Sequence, residues 1–116
     1  YNDFWGTGCA PCRQGMVEAR QTVEELKDSK IKFLYITSEG ISPLAAYDRF
    51  LSERRIQGER LRLSDDQWNL LCTKFDIYGI PHCVVVDKQG RVVDNNRWSR
   101  SGTALCKSKL LELEKQ

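Results

Sequence analysis

Strand-like and helix-like segments alternate along almost the whole of this chain, and that alternation limits its fold more than any other feature. Residues 1–5 read as a short strand ending in Phe4-Trp5, and Gly6-Thr7-Gly8 as a turn. A helix follows from position 9 or 10 to position 27. Pro11 sits in its first turn, where a missing N–H does no harm. Its apolar residues Met16, Ala19, Val23 and Leu26 recur at helical spacing. Residues 31–37 are β-branched and aromatic, which predicts a strand buried on both faces. Ser42-Pro43 opens a second helix with Leu44, Tyr47 and Leu51 on one side. Residues 60–63 read as a short strand. Ser64 then caps a helix carrying Trp68, Leu71, Cys72 and Phe75 on one face. Tyr78-Gly79-Ile80-Pro81 breaks that helix. Residues 84–86 and 91–93 pair across a turn at 87–90, with Gly90 where a positive φ is wanted. Ser101 caps a last helix reaching residue 115, with Leu105, Leu110 and Leu113. The order β-α-β-α-β-α-β-β-α predicts an α/β fold, a central mixed sheet with helices on both faces.

A chain of 116 residues supports one hydrophobic core, so positions 1–116 are read as a single domain. Hydrophobic residues make up 41% and charged residues 29%, which excludes a disordered chain. The formal net charge of +2 gives no electrostatic case for nucleic acid or a membrane surface. No apolar run approaches the length of a membrane span. The chain opens at Tyr1, in what reads as the middle of a strand. It is therefore expected to be the C-terminal part of a longer protein, with any targeting segment upstream.

Five cysteines are too many for a typical reduced cytosolic domain and too few for a disulfide-stapled mini-protein. Two of them form Cys9-Ala10-Pro11-Cys12, at the predicted strand-to-helix junction. A helix start offers unsatisfied N–H groups and positive dipole potential, both of which stabilise a thiolate. Thiols so placed fall from about 8.5 to roughly 3.5–7.5. Cys9 precedes the helix and is expected to be the exposed, attacking thiol. Cys12 lies one turn in and is expected to resolve. Two other readings of the spacing stand beside this one. Cys9 and Cys12 could join His82 and Cys83 as zinc ligands, although Pro11 and the β-branched surroundings of Cys83 argue against it. The pair could also be a purely structural bridge, although so small a loop gains little entropy from closure.

The segment Asp3-Phe4-Trp5-Gly6-Thr7-Gly8-Cys9-Ala10-Pro11-Cys12-Arg13 resembles the active-site segment of thioredoxins, and more closely that of the extracytoplasmic TlpA/ResA-like thioredoxins. A second block agrees. Tyr78-Gly79-Ile80-Pro81, the strand at 84–86 and Asp87-Lys88-Gln89-Gly90-Arg91 resemble the family's Gly-x-Pro segment, strand and hairpin. The resemblance implies a thioredoxin-like fold and a thiol–disulfide oxidoreductase. Pro81 would be a cis-proline facing a redox-active Cys9–Cys12 disulfide. The Ile80 backbone would pair with an extended segment of the partner. Asp3 would be a buried acid that relays the proton of Cys12. Its alternative is a strand-end aspartate in solvent. Trp5 would pack beside the site, and with Ala10, Pro11, Ile80 and Pro81 would form the partner-binding surface.

The match is not complete. Gly8 replaces the tryptophan that usually precedes the first cysteine, and Ala10 replaces the usual Gly or Glu. The family's first strand and hairpin are missing before Tyr1, which predicts an uncovered edge beside the 31–37 strand. Cys72 and Cys106 read as small buried hydrophobes, with a bridge between them undecided. Cys83 shares a sheet face with Pro81, and His82 points the other way, toward structure or solvent.

The reaction implied is disulfide exchange with protein partners, with electrons from an upstream dithiol protein and neither metal nor organic cofactor. A monomer in the bacterial periplasm or cell envelope is implied as well. The alternatives are a thioredoxin-like peptide-binding adaptor, whose cysteines are incidental, and a thiol peroxidase relative.

Overall fold

The computed structural model describes residues 1–96. Its elements are β1 (Asn2–Phe4), α1 (Ala10–Glu18), α2 (Arg20–Glu25), β2 (Leu34–Ser38), α3 (Leu44–Glu53), β3 (Glu59–Leu63), α4 (Asp65–Lys74), β4 (His82–Val86) and β5 (Val92–Asn96). The expected final helix, with Cys106, lies outside the described residues.

The strands form one mixed sheet in the order β3-β2-β1-β4-β5. β1 runs parallel to β2 and antiparallel to β4, so it sits at the centre. β3 is parallel to β2, and β5 closes the other side antiparallel to β4. The 31–37 strand was expected to carry an uncovered edge. It does not: β3 pairs with it from Leu34–Glu59 to Ser38–Leu63 and becomes the edge instead. The α/β fold with helices on both faces is the one observed.

One face of the sheet is covered by α1, α2 and α3. There Tyr1, Ala19, Val23, Leu26, Phe33, Cys83 and Val85 form one core cluster. Trp5, Cys12, Met16, Tyr35, Leu51 and Ile56 form a second, which continues to Cys9 and Ile80. The opposite face, with Phe4, Ile36, Ile77 and Val84, takes Trp68, Leu71 and Cys72 from α4 and Phe75 from its C-cap. The expected 9–27 helix is interrupted at Ala19, yet hydrogen bonds cross that residue in both directions: its N–H reaches the Gly15 carbonyl and its own carbonyl accepts from Val23. The apolar stripe is thus unbroken, and Met16, Ala19, Val23 and Leu26 are all buried. Each large buried side chain contributes roughly 1.5–3 kcal/mol.

Local sequence explains the remaining ends. α4 begins with a complete capping box, in which Ser64 and Gln67 satisfy each other's backbone N–H groups. Asp65 and Asp66 at its start and Lys74 at its end oppose the helix dipole. Asp76, at φ 54°, stops it. In the hairpin, the Asp87 carboxylate accepts from the Gln89 and Arg91 N–H groups, and Gly90 takes φ 82°. In α3, Leu51 is buried and Tyr47 half-buried, but Leu44 is exposed, against expectation. It stands in the first turn, before the helix reaches the core.

Candidate active site

β1 carries the chain to Trp5, whose N–H extends the pairing by donating to the Ile36 carbonyl at 3.0 Å. The Gly6-Thr7-Gly8 turn follows, closed by a Cys9 N–H to Gly6 carbonyl bond of 3.0 Å. Cys9 is the N-cap of α1, in extended backbone (φ −97°, ψ 99°), with Pro11 in the first turn. Its sulfur accepts the Cys12 N–H at 3.2 Å. The two cysteines are joined as a disulfide, with α-carbons 5.2 Å apart. The halves of the bridge differ in access: Cys9 is half-buried, whereas Cys12 is sealed at 2% exposure against Trp5 and Met16. Ala10 and Pro11 are exposed beside Cys9.

Asp3 lies inside the fold, not in solvent. Side chains alternate along a strand, so Asp3 shares its face with Tyr1 and Trp5. Its register neighbours are Tyr35 on β2 and Cys83 on β4. It is buried, and its Oδ1 has no hydrogen-bond partner among the described residues. Burial alone pushes its carboxyl from the ordinary 3.8 up to about 8. The Trp5 indole N–H is likewise buried without a partner among the described residues, and the ring stacks on Tyr47 and lies tilted against Phe50.

The second sequence block arrives from across the sheet. The Ile80–Pro81 peptide bond is cis, and Pro81 is buried at the entrance to β4. Ile80 is half-buried and packs on the cluster that holds Cys9, Cys12 and Trp5. A β-carbon placed on Gly6 would lie 3.1 Å from Ile80 Cδ1 and 3.2 Å from Ile41 Cδ1. The turn before Cys9 and the loop before Pro81 are therefore in contact. Ile41, exposed at 40%, and Tyr78, exposed at 92%, flank this junction.

The remaining candidates separate from the site. His82 is not in solvent: it is buried, and its Nε2 hydrogen-bonds Asn95 Oδ1 while Asn95 Nδ2 donates to the Phe75 carbonyl. It faces away from Cys83 on β4, so the four zinc ligands written from sequence do not converge. Cys83 is buried in the cluster beneath α2 and accepts from the Tyr1 hydroxyl at 2.7 Å. Cys72 is half-buried on α4, where desolvation pushes its thiol above the ordinary range. Ile41 and Ser42 contact the turn before Cys9 without having been singled out in the sequence, and Gly6 and Thr7 entered only as members of that turn and of the quoted segment.

This sheet order, with a cysteine pair capping a helix beside a cis-proline loop, defines a thioredoxin-like protein. A family model described as thioredoxin-like matches residues 3–92, and the chain belongs to that family. No curated protein sequence matches it. Among solved structures, the thioredoxin domain of a thiol-disulfide oxidoreductase from Bacteroides vulgatus aligns with TM-score 0.81 at 20% identity, covering 96% of this chain and 75% of that one. A thiol:disulfide interchange protein of the thioredoxin family from Chlorobium tepidum gives 0.82 at 19% identity, with 97% and 77% covered. StoA from Bacillus subtilis gives 0.68 at 13% identity, with 83% and 70% covered. At these identities the likeness is one of fold.

Proposed function

We propose that this chain is a thiol–disulfide oxidoreductase that exchanges disulfides with protein partners through Cys9 and Cys12. The observation that carries the reading is the asymmetry of the bridge: Cys9 is accessible and receives the Cys12 N–H, whereas Cys12 is sealed. In the reduced form, Cys9 thiolate attacks a partner disulfide. A mixed disulfide forms and one partner sulfur leaves as thiolate. Cys12, deprotonated with Asp3 as base, then attacks Cys9 Sγ and releases the second partner sulfur. Two electrons pass to the partner, and Cys9–Cys12 closes as the disulfide. A second dithiol protein reduces it again. No metal or organic cofactor enters this scheme.

Ile80 offers its backbone to an extended partner segment, with Ala10 and Pro11 exposed beside Cys9; Trp5 and Pro81, expected on this surface, are buried and support it from beneath. One copy of the chain suffices for this scheme, and we read it as a monomer. The TlpA/ResA resemblance supports the bacterial cell envelope as its place of work. No helix among the described residues is long and apolar enough to cross a membrane.

Insulin-disulfide reduction tests the mechanism. Wild type should turn over with a dithiol donor, and Cys9→Ser should be inactive. Cys12→Ser should trap mixed disulfides. Equal activity of Cys9→Ser and wild type would sink the proposal.

A further inference from the structure

The turn that delivers Cys9 contains one side chain between two glycines. Gly8 is exposed, with no atom within 4 Å of the β-carbon position, and fixes nothing. The hold on the turn from outside its own backbone runs largely through Thr7. Thr7 N–H donates to Ser42 Oγ at 3.1 Å, and Thr7 Oγ1 donates to the Ile41 carbonyl at 3.2 Å.

Ser42 is built as an anchor. It is fully buried. Its hydroxyl exchanges a hydrogen bond of 2.6 Å with Thr37 Oγ1, itself fully buried on β2. Its N–H donates to the Ser38 carbonyl at 3.0 Å, and its own carbonyl accepts Arg62 Nε from β3 at 2.8 Å. A serine before a helix ordinarily caps it. Here Pro43 is the N-cap of α3 and no side chain caps the helix. The Ser42 hydroxyl instead faces the redox turn.

We infer that Ser42 is a positioning residue for Cys9, linking the sheet through Thr37 to the turn through Thr7. The inference rests on the thiol–disulfide reading above. The bond it protects is the Cys12 N–H to Cys9 Sγ contact of 3.2 Å. Hydrogen bonds weaken steeply as they lengthen or bend. A turn released from Ser42 lets Cys9 drift from that donor, so the reduced thiol holds its proton to higher pH and attacks more slowly.

The test is the pH profile of Cys9 alkylation by iodoacetamide in the reduced protein, read at the Cys9 peptide by mass spectrometry. Ser42→Ala should move the midpoint upward and slow alkylation about fivefold below it, the effect of one ordinary hydrogen bond. Thr37→Val keeps the buried volume and removes the hydroxyl partner of Ser42. It should shift the profile in the same direction by less, and it replaces Ser42→Ala if that variant does not fold. A purely structural role would lower the unfolding midpoint and leave the profile unmoved. Profiles that superimpose on wild type in the folded variants overturn the inference. Failure of wild type in the insulin assay is a separate result, since it sinks the redox reading while the alkylation profile still reports on the turn.

Discussion

Gly6 and Ile80 touch, and that contact joins the two sequence blocks into one site. A methyl at position 6 would meet Ile80 Cδ1 at 3.1 Å and Ile41 Cδ1 at 3.2 Å. Both are the ends of flexible side chains and can give by a few tenths of an ångström. Gly6→Ala should therefore fold, at a cost of about 1 kcal/mol. Its main effect should be on partner binding, because Ile80 is displaced: KM in the insulin assay should rise more than kcat falls. Gly8→Ala is the control. A β-carbon there meets nothing within 4 Å, so its denaturation midpoint should match wild type. Equal behaviour of the two variants would show that the contact is without consequence.

The site was legible in sequence wherever chemistry is local. Cys9, Cys12 and Pro11 announce a helix start because capping and dipole physics act within one turn. Asp3, Ile80 and Pro81 came from the family resemblance, and the burial of Asp3 follows from its central strand. Contacts between distant elements were not legible. Ser42 reads only as part of a helix opening because the chain next to it is helical, yet its partners Thr7 and Thr37 come from other elements. His82 could not be assigned inward without knowing that β5 brings Asn95 beside it. The edge expected beside the 31–37 strand was wrong because the pairing of β3 is a tertiary choice that periodicity does not encode.

Met16 is fully buried in one core cluster with Trp5 and Cys12. Met16→Ala should cost about 2–5 kcal/mol, since it removes transfer energy and leaves a cavity in that cluster. Leu70, on the outer side of α4 at 71% exposure, is the comparison. Leu70→Ala should stay within about 0.5 kcal/mol of wild type. Urea unfolding with unchanged m-values checks both. A Met16→Ala midpoint equal to wild type would contradict the packing described.

Ser64 and Gln67 form a reciprocal cap at the start of α4. Ser64→Ala should lower stability by about 1 kcal/mol. Ser64→Asp keeps an acceptor and should recover most of it. The loss should appear in thermal unfolding but not in the Cys9 alkylation profile, because α4 packs on the opposite face of the sheet from Cys12. A changed profile would mean that the two faces are coupled.

Asp3 links stability to pH in a direction opposite to that of a salt-bridged carboxylate. Burial raises its carboxyl from 3.8 to about 8 in the folded chain. Between those values the folded state keeps the proton and the unfolded state has lost it. Raising the pH through this window therefore favours unfolding, by up to about 1.4 kcal/mol per pH unit. Above the folded value the penalty is complete and constant; below the unfolded value it vanishes. Asp3→Asn removes the ionisation. Its stability relative to wild type should climb from pH 4 to pH 8 and then level off. The slope is the decisive quantity, since the buried amide also lacks partners and shifts both ends equally. On the proposed mechanism the same variant also lacks the base for Cys12, so mixed disulfides should persist longer at neutral pH. Parallel stability curves for Asp3→Asn and wild type across this window would remove Asp3 as a buried acid, and its role in resolving the mixed disulfide with it.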